Sequence, residues 1–108
     1  MAFDHVSITV ATTPTLIYTV PTGATQAYVT IQNRDTTANI NIGDSTLDVI
    51  GTVNGGVKIP AATSNLATTP ASVLQFWANS GDKIYAIAST TPALTNYCVV
   101  LASYVNTL

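Results

Sequence analysis

His5 and Cys98 each occur once in the chain, and they are the residue types on which nucleophilic or metal chemistry would rest. A thiolate nucleophile needs a base beside it, and His5 is the sole imidazole. It falls on the polar side of an N-terminal run in which Val6, Ile8 and Val10 alternate with His5, Ser7 and Thr9. Tyr97-Cys98-Val99-Val100-Leu101, in contrast, has the pattern of a buried strand, so Cys98 is expected to be an inert core thiol. One histidine and one cysteine cannot complete a tetrahedral zinc site. Asp44, Asp48 and Asp82 do not follow the dense alternation of a calcium loop. Asp44 and Asp82 each follow a glycine, as turn aspartates do. The run Val53-Asn54-Gly55-Gly56-Val57-Lys58 lacks the spacing and the Ser/Thr of a phosphate loop. No catalytic residue, metal site or cofactor is therefore expected, and the chain is not read as an enzyme.

Recognition chemistry has more to work with. Trp77, Tyr85 and Gln75 lie on the arms of a predicted hairpin and could form an aromatic platform on which a sugar ring stacks while an amide takes its hydroxyls. The same residues also suit a second core face or a subunit contact, the favoured alternative. Arg34-Asp35 reads as a solvated turn at a strand end, with an intersubunit ion pair as the lesser alternative. Phe3 and His5 near one end, and Tyr104, Val105 and Leu108 near the other, leave apolar groups that a neighbour would have to cover. They are the expected contact segments.

The elements that must position these groups are strands. Apolar residues are mostly β-branched or aromatic and come in short runs between Pro, Gly, Asn and Asp. Runs are predicted at 5–10, 16–20, 26–33, 38–42, 73–78, 83–88 and 97–104, and Gly55-Gly56 offers a bend before Val57-Lys58-Ile59-Pro60. The first three read as a meander. Val73 to Ala78, the turn Asn79-Ser80-Gly81-Asp82, and Lys83 to Ala88 read as a hairpin. The segment 45–54 is less clear, and 61–71 is loop-like. Tyr97 to Tyr104 is apolar on both faces, which suggests a central strand or a covered edge. No helical stripe of useful length appears. About eight short strands at these spacings predict an all-β fold, an antiparallel, jelly-roll-like β-sandwich, as a single domain over residues 1–108.

Composition narrows function further. Only 7% of the 108 residues are charged and the formal net charge is −2, whereas about a quarter is usual. Arg34, Lys58 and Lys83 are far apart, so no basic patch offers itself to nucleic acid. Every apolar run is too short to span a bilayer as a helix. The N-terminal residues lack the basic n-region of a signal peptide, so synthesis in a cytoplasm is expected. A surface this poor in charge is weakly protected against sticking, so part of it is expected to be covered by copies of the chain or by a partner.

Ser7-Ile8-Thr9-Val10, the run from Thr13 to Gly23, Tyr28 to Asp35 and Ile42-Gly43-Asp44 resemble small β-sandwich virion proteins of tailed bacteriophages, head decoration (capsid cement) proteins above all. The likeness continues through Gly56 to Pro60, Trp77 to Ala88 and Val99 to Tyr104. It rests on strands and turns and carries no chemical signature; similar pieces occur in tail- and fibre-associated proteins. The resemblance implies a homo-oligomer, a trimer foremost, that binds the major capsid protein on the outer face of the shell and carries no catalytic residue. The alternatives are a tail- or fibre-associated module and a host-carbohydrate-binding module.

Overall fold

The computed structural model describes residues 2–48, 55–62 and 72–106. Among the described residues eight strands are present: β1 Ala2–Ile8, β2 Thr15–Thr19, β3 Ala24–Asn33, β4 Ile40–Gly43, β5 Val57–Ile59, β6 Val73–Asn79, β7 Lys83–Ala88 and β8 Cys98–Asn106. They form two four-stranded antiparallel sheets, ordered β1-β8-β3-β6 and β2-β7-β4-β5. This order is that of a jelly roll of two Greek keys, as the strand pattern predicts. Successive strands almost always change sheet, and among the described strands only β4 and β5 are neighbours both in sequence and in a sheet.

Two expectations are corrected by this topology. The first three strands are not a meander, since β1 and β3 lie in the first sheet and β2 in the second. Nor do β6 and β7 form a hairpin, because β6 pairs with β3 whereas β7 pairs with β2 and β4. The turn between them is real: the Asp82 N–H donates to the Asn79 carbonyl at 3.1 Å, the Asp82 carboxylate accepts from the Asn79 N–H at 2.8 Å, and Gly81 takes φ of 82°. Its backbone is held against the end of β2, with the Gly81 N–H donating to the Val20 carbonyl and the Val20 N–H to that of Asp82. The turn therefore arches from one sheet to the other.

The core lies between the sheets, where alternate residues meet. From the first sheet come Ala27, Val29 and Ile31 of β3 and Val100 and Ala102 of β8; from the second come Ile40 of β4, Ile59 of β5, and Ile84 and Ala86 of β7. Each large aliphatic side chain buried this way contributes about 1.5–3 kcal/mol. β8 is central, between β1 and β3, one of the two placements its apolar sequence suggests. β2 departs from alternation because its register against β7 slips between Leu16 and Tyr18. The bulge turns both Ile17 and Tyr18 inward. Gly56 leads into β5 at φ of 75°, and a Cβ there would collide with the Ile42 carbonyl oxygen, so this close approach of backbone to backbone requires glycine.

At the end of the sandwich where β3 stops, polar groups are buried on purpose. The Asn33 amide donates to the carbonyls of Ala38, Ile59 and Pro60 and its Oδ1 accepts from the Asp35 N–H. Asp35 is fully buried. Its carboxylate accepts from the N–H groups of Ala38 at 2.7 Å, Leu94 at 2.8 Å and Thr37 at 3.0 Å. The solvated turn expected at Arg34-Asp35 is thus wrong for Asp35, which ties the 35–38 turn to the loop before β8.

Candidate functional site

Register in the first sheet assigns each of its residues to the core or to the opposite, outer face. Across the outer face run three transverse rows: Phe3, Ser103, Tyr28 and Trp77; His5, Leu101, Thr30 and Gln75; Ser7, Val99, Gln32 and Val73. None of these twelve residues is Asp, Glu, Lys or Arg. Phe3 is 66% exposed, Trp77 64%, Val105 50% and Leu101 45%, an apolar set on one side of one sheet. A lone exposed leucine means little, but several large apolar side chains on one uncharged face mark an interaction surface.

Four residues expected at contacts, Phe3, His5, Trp77 and Val105, belong to this sheet and are exposed. Among the described residues, the others are not exposed on that face. Tyr104 is half-buried on the inner side, where its hydroxyl donates to Asp4 Oδ1 at 3.3 Å. Arg34 is half-buried and lines an open recess of about 290 Å³ with Leu94, Thr95, Asn96 and Tyr97. Tyr85 lies on β7 in the second sheet. Leu108 lies outside the described residues. The expected platform of Trp77 with Tyr85 is therefore corrected, because the two belong to different sheets. Trp77 instead meets Tyr28, with ring centroids 5.0 Å apart and planes at 56°, a tilted geometry favourable for aromatic rings.

Polar groups beside the rings are held by each other. The Gln75 amide donates to Thr30 Oγ1 at 3.3 Å and the Gln26 amide to Asn79 Oδ1 at 3.1 Å. Tyr28, Leu101 and Val99 complete the face and were not singled out in the sequence. Their alternation with buried Ala27, Val29, Val100 and Ala102 marks the face of each strand; joining the strands side by side needs the long-range register.

The chain matches no family model, no curated protein and no solved structure.

Several titratable groups away from the outer face are tied into the fold or its turns. Asp4 points inward, where its Oδ2 accepts from the Tyr18 hydroxyl at 2.6 Å; burial and this bond to a carboxylate raise the Tyr18 pKa well above the ordinary phenol value. Burial and the nearby Asp4 charge also raise that of Tyr104. Asp44 accepts from the N–H and hydroxyl of Thr46, which lowers its pKa and fits a turn. His5 and Cys98 occupy opposite faces of the first sheet: His5 is exposed on the outer face, and Cys98 is fully buried in the core. Burial pushes the thiol up to about 12. A water-soluble disulfide reagent is expected to leave the native protein unlabelled at pH 8 and to modify one thiol per chain in denaturant; fast native labelling would contradict a buried thiol.

Proposed function

We propose that this protein is a bacteriophage virion structural protein that binds the outer surface of the capsid as a homo-oligomer, a trimer in the favoured form, and stabilises the shell. The observation that carries this reading is the uncharged, apolar outer face of the first sheet. Such a face suits static adhesion to repeated neighbours, and the resemblance to decoration proteins supplies the neighbour, the major capsid protein. An oligomer contacts several shell subunits at once, so modest contacts combine through high effective concentration. A partner that binds only the assembled shell stabilises it by mass action. The protein is made in the host cytoplasm and joins the capsid exterior. Cryo-microscopy of the parent virion tests the reading: density for this chain on the shell exterior is expected, and density only in the tail overturns it.

A second reading is favoured by the Trp77-Tyr28 pair, an exposed ring beside a second aromatic with glutamine and threonine around it. This arrangement suits a glycan. Binding on a glycan array that disappears in a folded Trp77→Ala variant would support it over the first reading. Jelly rolls serve both capsid and lectin domains, so the fold itself does not separate the two.

A further inference from the structure

We propose that copies of this chain join head to tail through the two edges of the first sheet, with β6 of one copy pairing antiparallel to β1 of the next. The inference deepens the homo-oligomeric reading above and rests on it.

The sandwich has four outer edges among the described strands, β1, β6, β2 and β5, and they are not alike. Exposed edges are normally blunted by bulges, short length or outward charge, because unpaired N–H and C=O groups recruit another strand. β2 carries a bulge. β5 has three residues and an exposed Lys58. β1 and β6 are seven residues each, and each keeps an unbroken register against its neighbour. Neither contains Pro, Lys or Arg. The one carboxylate on them, Asp4, points inward and is occupied by the Tyr18 and Tyr104 hydroxyls.

Strand direction makes these two edges complementary. In an antiparallel sheet of four strands the outermost two run in opposite directions, so rotation about an axis along the strands brings β1 of a second copy antiparallel to β6 of the first. Twofold pairing of β6 with itself is also antiparallel, but it leaves β1 open. Head-to-tail contact uses both edges of every copy once the ring closes.

The aromatic side chains favour the same arrangement. Phe3 and Trp77, the two most exposed large hydrophobics, stand at opposite ends of one transverse row, Phe3-Ser103-Tyr28-Trp77. Continuing that row into the next copy sets Trp77 beside the neighbour's Phe3, an aromatic cross-strand pair. In the same register Gln75 meets His5 and Val73 meets Ser7 on the outer side, while Leu74 meets Val6 on the inner side. No outer pair opposes like charges.

Cysteine cross-linking tests this. Phe3→Cys and Trp77→Cys remove exposed side chains and leave the core intact, which circular dichroism checks, and Cys98 is too buried to compete. With a short bismaleimide, the double variant is expected to give covalent trimers. A mixture of the two single variants is expected to give covalent dimers, and each single variant alone should remain uncross-linked. Covalent dimers from Trp77→Cys alone would show twofold β6 pairing and overturn the proposal. If the folded double variant keeps the wild-type oligomeric mass by light scattering yet does not cross-link, the edge pairing fails while the oligomeric reading stands. A wild-type monomer at micromolar concentration overturns both.

Discussion

Replacing Asp35 with alanine is expected to destabilise the fold by about 3–5 kcal/mol, because three hydrogen bonds to a charged acceptor are lost together and their donors are left unpaired. The side chain has no solvent exposure, and its two oxygens take N–H groups from Thr37, Ala38 and Leu94. Truncation leaves the buried Ala38 N–H and the part-buried Thr37 and Leu94 N–H groups without this acceptor, at about 1–3 kcal/mol for a buried unsatisfied group. It also cuts the tie between the turn after β3 and the loop before β8. Asp35→Asn keeps the shape but turns an amide N–H toward at least one backbone N–H, so it should fall between wild type and alanine. Urea melts of the three proteins check the order; a change below about 1 kcal/mol in the alanine variant would contradict this account.

Asp35 also predicts a pH dependence. Burial alone would raise its pKa, but backbone N–H groups of Ala38, Leu94, Thr37 and Ala93 outweigh burial and lower it below the ordinary 3.8. A carboxylate whose folded pKa is depressed contributes stability above the unfolded value, and that contribution is lost as pH falls through the folded value. Wild-type stability should therefore decline below about pH 4. Asp35→Asn removes this group's share of the decline, visible as a flatter stability profile in acid.

Alternation made much of the sandwich legible beforehand. Ala27, Val29 and Ile31 announce the inner side of β3, and the two-sided apolar run from Tyr97 announces either a central strand, which β8 is, or a covered edge. The jelly-roll topology was less accessible, because Val73 to Ala88 has the same local pattern whether its arms pair with each other or arch between sheets. The choice is made by β3, β2 and β4, which supply partners far away in sequence, from Gln32 against Val73 to Thr15 against Ala86, and a local pattern carries no information over such non-local pairings. Asp35 departs from its sequence pattern for a similar reason: an aspartate before two threonines looks like a solvated turn, and only the loop before β8, folding over it, makes it a buried anchor. The interaction face lay between these cases. Phe3 and Trp77 stand out as exposed aromatics, yet Tyr28, Leu101 and Val99 acquire meaning only when the register of β1, β8, β3 and β6 aligns them in rows.

On the proposed reading of the outer face as the capsid-binding surface of an oligomer, Leu101→Lys is expected to weaken shell binding by about 100-fold or more per site, while folding and self-association persist. Leu101 is 45% exposed and stands next to His5 and Thr30 in the middle row of the uncharged face. Losing its apolar contact and burying an unpaired ammonium against the shell together cost about 3 kcal/mol or more, and each 1.4 kcal/mol is tenfold in affinity. The fold should lose less than about 1 kcal/mol, because the side chain lies outside the core and a half-exposed strand position tolerates a long polar residue. Self-association should survive because Leu101 is on β8, one strand inside the β1 edge. Co-sedimentation with shells stripped of this protein measures the first effect, and light scattering the second. Shell binding unchanged in Leu101→Lys would place the adhesive surface elsewhere on the molecule. Loss of the oligomer together with shell binding would mean that the outer face, rather than the edges, holds the copies together, and the cross-linking of Phe3→Cys to Trp77→Cys would then have to fail as well.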